Sequence, residues 1–241
     1  MFLQPRNFLC IIMLLEMIHS TAVLAGSVRV YTGANAAGIT IGLKVKSIKE
    51  LRERGITLQK LDYSCGSAAL STLCTSYINK PYSEQTIIDE IVKNGDIKKI
   101  AVRKGFSLLD LKRFAGRHGI AADGYALDYP SLLDLHCPVL VPLMRKDINL
   151  RHFVIFRGAD HERVFLADPA VGRRTMTRVD FLAEWNPRVG MVFHPIGMTP
   201  PLHHGLELGP EDATYMTTDR LRAILMASVM QDIHKATEYG D

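Results

Sequence analysis

Cysteine and tryptophan are scarce in this chain: four and one, respectively, in 241 residues. No apolar run approaches the roughly 20 residues that a membrane-spanning helix needs, the longest being Phe8 to Leu15 near the N-terminus. No Gly-rich phosphate loop of the GxxxxGK[ST] type occurs, which excludes an internal ATPase. The net charge of +4 is small and spread along the chain, with no basic run carrying interleaved aromatics, so there is no nucleic-acid footprint. His118, His136, His161, His194 and the pair His203-His204 lack metal-type spacing with partner ligands and read as surface or loop residues. What remains is an ordinary globular composition, 47% hydrophobic and 22% charged, enough for one sizeable domain or a domain plus a tail.

The first 25 residues read as an address. Arg6 precedes the apolar run, Glu16 cuts it short, and Val23-Leu24-Ala25 suits cleavage before Gly26. A cleaved secretory signal over 1–25 is expected, with a retained N-terminal anchor as the alternative, and no cysteine follows to carry a lipid. Losing Cys10 with the signal leaves Cys65, Cys74 and Cys137. Three is odd, so at least one thiol stays free unless it pairs between chains. Cys74 lies in the apolar pattern AALSTLCTSYI and Cys137 before a strand-like segment, as buried cysteines do; a bridge between them is open. Cys65 differs. It stands in LDYSCGSAAL, among small polar residues and next to Gly66, where a helix begins.

SVRVYTG alternates like a short edge strand, and GLKVKSIKELRERG begins another and runs into a polar turn. Helices are expected over 64–78, over SEQTIIDEIVKNG with Ser83 as cap and Gly95 as stop, and over GFSLLDLKRFAGRHGI. In the last, Ser107 and Asp110 form a capping pair and Gly119 closes the end. From residue 121, DGYALD, PVLVPLM, HFVIFRGA, RVFLADPA, RRTMTRV and VGMVFHP are short strands whose links are too short for crossover helices. Helices first and a mostly antiparallel sheet afterwards give an α+β fold. TTDRLRAILMASVMQDIHKA reads as a terminal amphipathic helix. The expected organisation is a domain over 26–196 and an extension over 197–241.

Attack by a thiolate on an acyl carbon needs a base, a group that orients it, and donors for the oxyanion. At a helix start, exposed amides and the helix dipole favour the thiolate of Cys65, and Gly66 leaves its approach uncrowded. His152 opens the strand HFVIF, and Asp168 ends RVFLAD, where Pro169 stops further pairing. Adjacent antiparallel strands can set that imidazole beside that carboxylate. Each residue alone has a plain structural reading; the three together in these positions point to chemistry.

The stretch QKLDYSCGSAALSTL closely resembles the start of the bacteriocin-processing cysteine peptidases, the double-glycine leader peptidases of the papain-like clan. The likeness runs in order through GFSLLDLKRFAGRHGI, CPVLVPL, HFVIF, LADPAVG and FLAEWN, roughly residues 44 to 195. It implies a papain-like fold, Cys65 as nucleophile, His152 as base and Asp168 as orienting acid. It also implies that the Gln59 side chain and the Cys65 amide form the oxyanion hole, without metal or organic cofactor. Chemistry alone does not single out Gln59, since a loop glutamine is usually solvated. The transporter-linked branch carries membrane spans and an ATPase. This chain resembles instead the secreted, stand-alone branch encoded with outer-membrane secretion systems, including those exporting functional amyloid. The expected activity is a periplasmic endopeptidase acting on a secreted protein or secretion component, with cleavage after Gly-Gly implied only for transporter-linked relatives. A cell-wall amidase or acyl transferase with the same triad, and a non-catalytic peptide-binding module, are the alternatives.

Overall fold

The computed structural model describes residues 47–145, 150–197, 201, 203–209 and 212. The signal segment, the strand expected at SVRVYTG and the terminal helix lie outside these residues. All the described residues but Ser47 belong to one unit, Ile48–Asp241.

Among the described residues, five helices lead into the sheet: α1 (Ile48–Glu53), α2 (Cys65–Ser76), α3 (Glu84–Asn94), α4 (Ile97–Arg103) and α5 (Leu108–Arg117). Then come β1 (Ile120–Ala126), α6 (Tyr129–Asp134), β2 (Val139–Arg145), β3 (Leu150–Ala159), β4 (Arg163–Asp168), β5 (Gly172–Thr177), α7 (Arg178–Glu184) and β6 (Val189–Pro195). The six strands form one sheet in the order β1-β6-β2-β3-β4-β5, with every pairing antiparallel. The α+β expectation therefore holds. The strand expected to begin GLKVKSIKELRERG lies outside the described residues, and the polar turn expected after it is helix α1, with Glu50 in its first turn and Arg52 in its last.

α2 lies in the core of the described unit. Its residues Cys65 to Cys74 are all buried, which only a helix of small and apolar side chains permits. Its buried hydroxyls are satisfied locally: Ser67 donates to Ser64 O at 2.8 Å and Thr72 to Ala68 O at 2.9 Å. α3 and α5 begin as their sequences direct. Ser83 accepts from Thr86 N, and Ser107 and Asp110 form a reciprocal capping box.

The sheet is covered on both faces, so β2 to β4 are near-continuous apolar runs. Register sorts them cleanly. Phe153, Ile155 and Ala167 join Leu70, Leu73 and Phe114 under the helices α2, α3 and α5. Val154, Phe156, Val164 and Leu166 join Phe181 and Trp185 under α7 on the other face. His152 lies opposite Leu143, a member of the second cluster, so the sheet delivers its side chain from the α7 face.

Candidate active site

The structure brings three of the four expected residues together at one site. Cys65 is the first residue of α2, His152 the third of β3, and Asp168 the last of β4. The His152 Nε2 lies 2.6 Å from Asp168 Oδ1. The Cys65 side chain adjoins the same imidazole and, with Asp168, favours its charged form. All three are largely buried, His152 at 9% and Asp168 at 2% exposure.

Asp168 is held from several directions. Oδ1 also accepts from Ala170 N at 2.9 Å, which closes the turn at Pro169, and Oδ2 accepts from Arg174 Nη1 at 3.3 Å. Burial opposes its charge, yet the hydrogen bond and positive field of His152 outweigh burial and hold the carboxyl below its usual range. Burial likewise opposes a charged His152, but Asp168 and Cys65 prevail and its pKa is pushed up to about 9. The site is built to hold an imidazolium at neutral pH beside a thiol. Such a pair can attack an acyl carbon and protonate the departing group.

Gly66 acts differently from the sequence expectation. A Cβ there would sit 3.2 Å from Phe153 Cδ2 and 3.4 Å from Leu111 Cδ1. The glycine lets the start of α2 close onto the residue after His152, which is what brings thiol and imidazole within reach.

Gln59 is placed beside the triad, with its side chain turned into its own loop. Its backbone N–H donates to Pro169 O at 2.8 Å, against the turn that follows Asp168. Its Nε2 donates to Leu61 O at 3.1 Å and Asp62 O at 3.4 Å. The amide nitrogen is thus engaged by two carbonyls of its own loop.

Cys65 and His152 line a cleft of about 740 Å³. Phe106, Pro142, Met144 and Val189 supply apolar wall, and Arg103, Lys104 and Arg151 face it with Asp62. A groove of that size takes an extended peptide segment. The other cysteines take no part: both are free, and burial pushes the Cys74 thiol up to about 12 and raises that of Cys137. Among the described residues no cluster of metal-ligating side chains occurs.

Two histidines expected at the surface are structural. His118 Nε2 meets Glu90 Oε2 at 2.6 Å while its ring packs on Tyr82 and Phe114. His204 packs edge-on against Tyr77 at 4.8 Å and accepts from Leu206 N. Arg174 went unnoticed in the sequence. In the Arg173-Arg174 pair, strand alternation sends only one side chain to the Asp168 face, and nothing local says which.

Comparison with known proteins gives the same answer as the site. Residues 53–195 match the Peptidase C39 family. The chain belongs to that family. It is a cysteine peptidase, and its substrates are proteins or peptides. It is 35% identical over 164 residues to the "Probable functional amyloid protease FapD" of Pseudomonas fluorescens, covering 68% of this chain and 70% of that one. The protein of the same name from Pseudomonas aeruginosa is 32% identical over 189 residues, covering 78% and 81%. Among solved structures, the peptidase domain of Streptococcus ComA, a bi-functional ABC transporter of a quorum-sensing pathway, superposes at a TM-score of 0.48 with 20% identity. That alignment spans 58% of this chain and 97% of the other.

Proposed function

We propose that this C39 peptidase works in the periplasm, cutting a peptide bond in a secreted protein or in a component of the machinery that exports it. The observation that carries the catalytic part is the His152–Asp168 pair beside Cys65 at the wall of the cleft. The setting is supported by the signal-like segment before Gly26 and by the relatives named for functional amyloid.

In this reading Cys65 Sγ, as thiolate, attacks the scissile carbonyl carbon. The oxyanion takes hydrogen bonds from the Cys65 amide and from the Gln59 side chain, whose amide turns from its own loop to do so. The imidazolium of His152 gives its proton to the leaving nitrogen as the C–N bond breaks, and an amine departs from a thioester on Cys65. His152, now neutral, takes a proton from water, whose oxygen attacks the thioester. The acid leaves and the thiolate–imidazolium pair is restored. Asp168 keeps the imidazole in one orientation and stabilises its charge throughout.

The test uses protein beginning at Gly26, wild type and Cys65→Ala, incubated with exported proteins of a host carrying the amyloid secretion genes. New protein N-termini, mapped by amine labelling and mass spectrometry, should appear with wild type only. The same termini from Cys65→Ala would overturn the nucleophile assignment. Muropeptide fragments or cross-linked products without new termini would replace the peptidase reading of the substrate with an amidase or transferase one.

A further inference from the structure

The family match ends at residue 195, but the folded structure does not. Residues 203–209 and Asp212 run back over the sheet on the α2 face as a strap. Gly205 N donates to Ser76 O at 2.8 Å, and Leu206 is fully buried in the core beneath α2. The strap passes so close to β3 that a Cβ on Gly158, whose φ is +150°, would lie 2.9 Å from Leu208 Cδ1.

At its end Asp212 meets two arginines, all three side chains being at most 4% exposed. Oδ1 accepts from Arg157 Nη1 at 2.6 Å, and Oδ2 from Arg157 Nη2 at 2.9 Å and Arg173 Nη1 at 3.1 Å. Arg157 also donates to Leu206 O and Glu207 O, so it binds both the side chain and the backbone of the strap. It can do so because the ladder between β3 and β4 slips at this point. Phe156 pairs with Leu166 and Gly158 with Phe165, so Arg157 is the extra residue of a bulge.

The position of this cluster matters. Arg157 is on β3 with His152, Arg173 is on β5, and β4 with Asp168 lies between them. Arg173 pairs with Ala167, the residue before Asp168, and its neighbour Arg174 reaches Asp168 from the other face. One carboxylate therefore ties β3 to β5 across β4, behind the triad. A buried cluster of two arginines and one acid is poor evidence for stability, since apolar groups of like volume often serve that end as well. Fixing strand position is the use that this placement favours.

We propose that Asp212 is a positioning residue for the peptidase: through Arg157 and Arg173 it sets the spacing of His152 and Asp168. The proposal rests on the triad reading given above. Its test uses the full mature chain at a temperature where near-UV circular dichroism shows native protein. Asp212→Asn should lower the His152 pKa, followed by NMR of labelled histidine, by about one unit. Iodoacetate alkylation of Cys65 at pH 8.5 should then slow several-fold, because the imidazolium fraction falls by a similar factor. Asp212→Glu should recover most of the rate. A merely structural acid would lower the melting temperature and leave the His152 titration of the folded protein unchanged, and that result overturns the proposal. A charge-free set, Arg157→Met with Arg173→Met and Asp212→Leu, keeps the strap packed and covers the case in which Asp212→Asn does not fold. It should show the same lowered titration, and a wild-type titration in it also refutes the role. His152→Ala is the control on the underlying reading. If it alkylates like wild type, the Cys–His pair has failed rather than the strap.

Discussion

Replacing Asp168 with asparagine changes one charge and little volume, and the structure says at which pH the change will be felt. Asp168 raises the His152 pKa both by its 2.6 Å hydrogen bond and by its field; the other upward contributions come from Cys65, while burial pulls down. Removing the carboxylate charge leaves burial opposed by Cys65 alone. The imidazole should then titrate near about 7 instead of about 9, a loss of about 3 kcal/mol in its preference for the proton. At pH 8 the imidazolium fraction falls from about 90% to about 10%, whereas at pH 6 it changes by only about a tenth. The Asp168→Asn enzyme should thus be about tenfold slower than wild type at pH 8 and nearly equal to it at pH 6.

Iodoacetate reads this without a known substrate, because its anionic carboxylate is drawn to the imidazolium beside the sulfur. The direct reading is NMR of labelled His152, assigned by its disappearance in His152→Ala. The same shift carries a stability consequence. Because the folded pKa lies above the ordinary 6.5, the stabilisation by charged His152 is complete below about pH 6.5. It is lost as pH rises through about 9. Wild type should therefore lose thermal stability across that window and Asp168→Asn should lose much less. An equal loss of rate at pH 6 and pH 8, with the His152 titration unmoved, would refute the electrostatic role and leave Asp168 as a spacer.

Gly66→Ala forces a methyl to within 3.2 Å of Phe153 and 3.4 Å of Leu111, so α2 must move away from β3. A loss of about 1–2 kcal/mol in denaturant unfolding is expected, with slower Cys65 alkylation in the folded fraction. His118→Ala should cost about 1 kcal/mol, or roughly 2–4 °C in melting temperature, by removing the Glu90 contact and a ring from between Tyr82 and Phe114. Its alkylation rate should stay at the wild-type value, since the cluster joins α3 to α5 away from the cleft.

The parts of this molecule that could be read from sequence are those whose signals are local. Ser83 and Ser107 each carry a cap within three residues, and the structure uses both. Asp128 with Pro130 for α6, and Thr177 with Asp180 for α7, carry signals of the same kind. Helices of six and seven residues bury little, so no apolar period marks them in the sequence. The catalytic elements were legible for the same local reason. A thiol at a helix start, an imidazole near a strand start and a carboxylate at a strand end before proline are each what their chemistry requires of the backbone. Gln59 was not legible by this route, because a loop amide leaves no pattern in its neighbours; only the resemblance supplied it.

The strap lies beyond any such reading. Arg157 and Asp212 are 55 residues apart, and what joins them is a bulge that shifts one residue of register. β3 is apolar on both faces from Phe153 to Phe156, so its sequence carries no alternation that would say where Arg157 points. The triad is thus written in local terms and its spacing in long-range ones. This division follows from the physics, since a reactive group needs a particular backbone setting, whereas the distance between two strands is set by whatever spans them. A variant search confined to the matched residues 53–195 would accordingly find the reacting groups and miss the carboxylate that sets them apart.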